Sequence, residues 1–167
     1  MTHPPAPWEL RGEFIIVPVR GLRGVLLANY TSGTLAYHEL IVFPRATRRG
    51  MVISHIYVDD EQSLRGGREI WGLPKELATF RYERRRFVAE GLLEARIRRR
   101  RGRIPLLVPA PIVSDAGRTL GRALVKAAPA LVTLDIPPQS PFAHLGFQGT
   151  HLALAGDDLR LKMPPPK

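Results

Sequence analysis

The sequence predicts a mainly antiparallel β domain of the α+β class, a barrel-like bent sheet with few helices. Three observations carry that expectation. Four apolar runs follow one another before residue 59, each separated from the next by turn residues. Several of these runs are apolar on both faces, as in a sheet that is covered on both sides or closes around an interior. Only two stretches of the chain carry helical spacing.

The first eight residues, with Pro4, Pro5 and Pro7, read as an irregular arm. The strands expected after it are EFIIVPV (13–19), GVLLANY (24–30), LAYHELIVF (35–43) and MVISHIYV (51–58), with Gly21, Thr31–Gly33 and Gly50 at the turns. A short helix follows, capped by Asp59 or Asp60, with Leu64, Arg68 and Trp71 on one stripe. Gly66 and Gly67 weaken it, and Gly72 before Leu73-Pro74 ends it, because a residue preceding proline is pushed towards extended geometry. Lys75 therefore opens a new segment.

Residues 78–101 read as two strands joined around Glu90 and Gly91, with arginines facing solvent. The prolines of RIPLLVPAPIV (103–113) suit an edge strand. A second helix is expected after Ser114 or Asp115: Leu120, Ala123, Leu124 and Ala127 fall at i, i+3, i+4 and i+7, Arg118, Arg122 and Lys126 form a basic stripe, and Pro129 stops it. The remainder predicts three short strands, the last two joined around Gly156-Asp157-Asp158, and a Pro-rich tail over 163–167.

A length of 167 residues suits a single domain over 1–167, and 44% hydrophobic against 24% charged residues is the balance of a folded protein. No apolar run approaches the ~20 residues of a spanning helix, and the start lacks the basic and apolar regions of a secretory leader. A cytoplasmic location is the expectation. The absence of cysteine excludes disulfides, thiolate metal sites and cysteine nucleophiles. His3, His38, His55, His144 and His151 show no zinc-binding spacing. The chain also lacks a P-loop, a G-x-S-x-G elbow and a G-x-G-x-x-G opening a helix, which removes nucleotide and serine-hydrolase chemistry.

A net charge of +10 raises the question of anionic partners, and the run from Arg96 to Arg103 is its densest part. Binding of a small anion or of nucleic acid through that face is the alternative reading. RNA-binding sheets interleave aromatics for stacking, and this run has none.

Of the 25 basic residues only four are lysines, Lys75, Lys126, Lys162 and Lys167. If charge alone were needed at position 75, arginine would be the expected occupant. An amine can lose its proton and attack a carbonyl, whereas a guanidinium stays charged. An ordinary amine must have its pKa lowered by roughly three units, about 4 kcal/mol, to do so at neutral pH. Trp71, Leu73 and Leu77 could form the apolar wall that this requires, with Arg68 as a neighbouring cation if it turns inward. A solvated lysine at a turn would be the plainer interpretation of the local pattern.

The stretch YVDDEQSLRGGREIWGLPKELATF (57–80) resembles the signature of the acetoacetate decarboxylase family, in which a Gly-Arg-Glu helix leads through a Gly-x-Pro turn to a Schiff-base lysine. TSGTLAYHEL (31–40) is similar to the strand on which that family carries Tyr-x-Glu. The resemblance runs from Gly12 to about Phe80. It implies the family's bent sheet, Lys75 as nucleophile, Glu39 as the carboxylate beside it, and Arg11 towards the substrate carboxylate; Arg68 and Trp71, from the local pattern around Lys75, are the further candidate substrate-binding residues. It also implies lyase chemistry on a small β-keto or 2-keto acid without a cofactor, in a homo-oligomer and with no membrane role. Two positions depart from the pattern. Glu76 stands where the family has a second lysine, and GVLLAN (24–29) lacks the expected second carboxylate.

Overall fold

The computed structural model of the chain describes residues 2–99 and 102–167. Thirteen strands among them join in one sheet. The elements are β1 (Trp8–Pro18), β2 (Gly24–Gly33), β3 (Tyr37–Phe43), β4 (Arg45–Thr47), β5 (Gly50–Val52), β6 (His55–Val58), helix α1 (Glu61–Trp71), β7 (Lys75–Leu77), β8 (Phe80–Glu83), β9 (Arg86–Ala89), β10 (Leu93–Arg99), β11 (Ile104–Ser114), β12 (Gly117–Asp135) and β13 (Gly149–Met163), with a 3-10 turn at Ala143–Leu145. The sheet path runs β4-β5-β11-β12-β13-β1-β2-β3-β6-β7, and β8, β9 and β10 attach through β12. All pairings are antiparallel except β6 with β7 and β11 with β5. The result is the curled, barrel-like sheet of mainly antiparallel strands that the apolar runs predict.

The double-sided apolar runs now have a physical explanation. Along β2 and β3 alternate residues enter different cores, because side chains on a strand alternate between faces. Val25, Leu27, Leu40 and Val42 face one core, built on Phe87, Phe142, Phe147 and Leu134. Ala28, Tyr30 and Tyr37 enter a second, and Trp8, Ile41, Ile56 and Trp71 a third, on the other face. The candidate site lies among these last two clusters.

Helix α1 begins at Asp60, whose side chain accepts from the Ser63 N–H at 2.7 Å, and ends at Gly72 in the left-handed region (φ 60°). A glycine suits that last position because an L side chain there is strained. Within the helix the buried residues are Ser63, Gly66, Gly67 and Trp71. The expected Leu64–Arg68–Trp71 stripe is thus rotated by about one position: Leu64 is half-buried and Arg68 exposed.

Four further expectations are corrected. The predicted second helix is instead part of β12, which pairs with β11, β13 and β10. Leu120 and Leu124 are four apart, a spacing that also keeps two residues on one strand face. The odd-numbered positions decide the matter: Thr119, Ala123, Val125 and Ala127 are all buried. Gly156-Asp157-Asp158 is not a hairpin turn but an irregularity inside the continuous β13, where the register shifts against both β1 and β12. Residues 78–99 form three strands, because Glu83 and Arg86 close a further tight turn. Leu77 is exposed and cannot wall a pocket.

No helix among the described residues is long and apolar enough to cross a membrane.

Candidate active site

Lys75 is the first residue of β7, and β7 lies parallel to β6 with Lys75 opposite Ile56. That register turns the lysine towards the face carrying Ile56, and Glu76 to the other. Lys75 is 3% exposed, whereas Glu76 lies on the surface, where its charge acts on His55 and Tyr57. The residue that replaces the family's second lysine therefore faces away from the amine.

Two glycines make room for the lysine stem. A Cβ on Gly67 would sit 2.4 Å from Lys75 Cδ, and one on Gly66 would sit 2.4 Å from the Trp8 ring. The GG pair, which weakens the helix locally, lets both side chains cross α1 at contact distance. Arg68 acts from outside: its Nε donates to the Lys75 backbone carbonyl at 2.8 Å, so it anchors β7 without lining the cavity.

The amine reaches two partners. Lys75 Nζ donates to Glu39 Oε2 at 3.0 Å and to Ser63 Oγ at 2.9 Å. Glu39, on β3, is itself 5% exposed, and its other oxygen accepts from the Tyr30 hydroxyl at 3.3 Å. Tyr37 shares its strand face with Glu39, and its ring centre lies 5.1 Å from Nζ. Burial, followed by the charge of Glu39, pushes both Tyr30 and Tyr37 well above the usual phenol range, so they remain neutral donors.

A small cavity of about 90 Å³ adjoins the amine. Its wall is apolar, with Leu26, Ile41, Met51, Ile53 and Met163 facing Trp8 and Trp71. The two indoles meet edge to face at 4.7 Å, a contact worth about 1 kcal/mol beyond burial, and the Trp71 Nε1 donates to the Pro164 carbonyl. Trp71 is therefore fixed at both its ring face and its polar end. A buried amine, one carboxylate and two phenols line an otherwise apolar cavity, with Ser63 bonded to the amine from α1, and together they can move a proton over a short distance while excluding bulk water.

Of the residues predicted for the site, the structure brings Lys75, Glu39 and Trp71 together. Arg68 touches only the main chain of Lys75. Arg11 is exposed on β1 beside Leu10, and it is Leu10 whose side chain lines the cavity. The arginine run divides: Arg96 and Arg98 are exposed on β10, Arg103 pairs with Asp157 at 3.1 Å, and Arg100 and Arg101 lie outside the described residues. Ser63, Tyr30 and Trp8 escape sequence reasoning. Ser63 reads as an ordinary polar helix residue, and its position three before Gly66, on the face that the glycines leave open, is the signal that could have found it.

The model of the acetoacetate decarboxylase family matches residues 7–106. No curated protein matches the chain in sequence. Among solved structures, acetoacetate decarboxylase from Legionella pneumophila superposes with a TM-score of 0.64 at 17% identity, covering 100% of this chain and 88% of that one. A second acetoacetate decarboxylase structure gives 0.58 at 16% identity, covering 98% and 88%. MppR, an enduracididine biosynthesis enzyme complexed with the condensation product of pyruvate and imidazole 4-carboxaldehyde, gives 0.57 at 11% identity, covering 96% and 88%.

Proposed function

The chain belongs to the acetoacetate decarboxylase family, and on that premise we propose that it is a lyase whose Lys75 forms a Schiff base with a small β-keto or 2-keto acid, decarboxylation being its first reaction. One observation carries the reading: the Lys75 amine is enclosed in an apolar cavity and held at 3.0 Å from the Glu39 carboxylate. Burial in an apolar pocket frees the amine, as in acetoacetate decarboxylase, while the Glu39 carboxylate by itself favours the charged amine, so Glu39 acts here as the group that takes the proton.

The steps use groups already in place. Nζ passes a proton to Glu39, and because the transfer stays within the pair, the net charge of the cavity does not change. The free amine adds to the ketone carbon, and loss of water leaves an iminium. With a β-keto acid the bond to the carboxylate carbon then breaks, its electron pair moves into the iminium to give an enamine, and carbon dioxide leaves; with a 2-keto acid the iminium instead serves carbon–carbon bond formation or cleavage at the neighbouring carbon. Protonation of the enamine carbon and addition of water return the ketone and the amine. An apolar wall favours the loss of a charged carboxylate at the third step. Tyr30 holds Glu39 in position, and Ser63 fixes Nζ from α1. The same iminium supports carbon–carbon bond formation, and the pyruvate condensation product held by MppR is the reason to include aldehydes among the trial substrates.

The test is release of carbon dioxide and acetone from acetoacetate. The wild-type chain turns it over, Glu39→Gln slows it by roughly 10²–10⁴-fold, and Lys75→Arg abolishes it. Equal release by wild type and Lys75→Arg would overturn the role of Lys75, and no release by the wild type would overturn the proposal and leave a binding protein.

A further inference from the structure

On the outer surface of the sheet, away from the Lys75 cavity, the chain gathers positive charge into one groove. Arg118 and Arg122 of β12, Lys162 of β13, Arg49 of the β4–β5 turn and Lys167 surround a volume of about 600 Å³. Arg118 and Arg122 share one face because they are four apart on a strand, and the residues that point the other way, Thr119 and Ala123, are buried.

Arg122 is in register with Lys162. Like charges directly opposite each other destabilise a sheet, so this pairing works against the fold unless an anion lies between them. Among the described residues, the ion pair that these five cations make is Lys162 with Glu9, at 3.5 Å and largely in solvent.

The groove is also partly organised. Arg118 Nε donates to the Arg49 carbonyl at 2.7 Å, which orients the guanidinium and leaves its two terminal nitrogens for a ligand. The main chain of Arg118 pairs in both directions with Lys167, at 3.1 and 3.0 Å, so the tail stands as a wall against the start of β12. Leu120, Pro164 and Pro165 supply apolar surface between the cations.

We infer that this groove binds a small organic molecule carrying two or more phosphoryl groups. The guanidinium fork matches phosphate oxygens two at a time, the volume lies within the range of small-molecule sites, and the prolines and leucine suit an organic portion. A single-stranded nucleic acid would call for aromatic platforms, and none lines the groove. The site is independent of the Schiff-base proposal.

Calorimetric titration of the full chain with ATP, at about 0.15 M salt, tests it. Saturable one-to-one binding is expected. Arg118→Gln with Arg122→Gln weakens it by about tenfold or more, while Arg84→Gln with Arg85→Gln, which removes the same charge from the exposed β8–β9 turn, leaves it within about twofold. Circular dichroism on both double variants checks that they fold. Inorganic triphosphate is expected to bind more weakly than ATP, and equal affinity would overturn the organic part of the assignment. Absence of saturable binding, or equal weakening in the two double variants, would overturn the site itself. Tighter binding of a single-stranded RNA oligomer that is lost in the Arg118→Gln, Arg122→Gln chain would replace it with a nucleic-acid surface.

Discussion

At position 67 the side chain is a hydrogen atom because the Lys75 stem occupies the space. Alanine would ordinarily favour a helix by about 1 kcal/mol over glycine, yet its Cβ would lie 2.4 Å from Lys75 Cδ. The steric effect wins, since α1 and β7 are both held by hydrogen bonds and the lysine must move. Gly67→Ala is therefore expected to keep the fold and to lose most turnover; unchanged turnover, with a folded circular dichroism spectrum, would contradict this geometry. The buried pair makes a separate statement. Removing one member of such a pair costs about 3–5 kcal/mol because the other charge stays buried alone, whereas replacing both by apolar groups is close to neutral. Lys75→Met should accordingly lower the urea midpoint more than Lys75→Met combined with Glu39→Leu. Additive losses in this cycle would mean that the two groups do not interact in solution.

Among the elements, α1 matters most because it delivers Ser63 to the amine, and its entry is fixed by two consecutive acids. Asp60 caps the helix, while Asp59 accepts from both the His38 ring and the His38 backbone N–H, each at 2.7 Å. Burial raises the Asp59 carboxyl, but the hydrogen bonds from His38 outweigh it, and the group ends below its ordinary value of 3.8. A depressed carboxyl stabilises the fold fully above that ordinary value and loses its contribution as the pH falls through the lower folded value. Melting temperature should thus fall on acidification below about pH 4, and more steeply in the wild type than in Asp59→Asn. Parallel acid profiles for the two chains would show that the contact contributes nothing.

The same scale explains which elements the sequence discloses. β1, β2, β3 and β6 are legible from their apolar runs, and α1 from its cap and from the Gly-x-Pro exit, so Lys75 could be located at the start of a new segment without a structure. β12 is not legible up to Pro129, although its last residues, 130–135, read as a strand. Its alanines, leucines and arginines have good helix propensity, and only pairing with three neighbours, together with small residues facing a crowded interior, makes them extended. Its partner β11, expected as an edge strand or an extended segment, lies between β12 and β5, but β5 covers it only at Ile112 and Val113, so the part that carries Pro105, Pro109 and Pro111 at alternate positions stays open. Proline has no N–H to offer a second chain, so the open part of this edge resists further pairing.

At the scale of the whole molecule, one curled sheet separates a large aromatic core from the smaller clusters that enclose Lys75, and it leaves most of the positive charge on the outside. This arrangement places the Lys75 amine in an apolar interior even though the chain carries a net charge of +10. What the sequence could not disclose is how the cavity is closed: Trp8, Leu10, Ala110, Leu161 and Met163 reach it from strands remote in the chain, and none lies near the matched signature except through the folded sheet. The central claim concerns one nitrogen atom. Incubation with acetoacetate and cyanoborohydride, followed by peptide mass mapping, reads its reactivity directly. A reduced adduct on the peptide containing Lys75, absent from Lys75→Arg, is the predicted result. An unmodified Lys75 peptide, or equal labelling of Lys126, Lys162 and Lys167, would contradict the account.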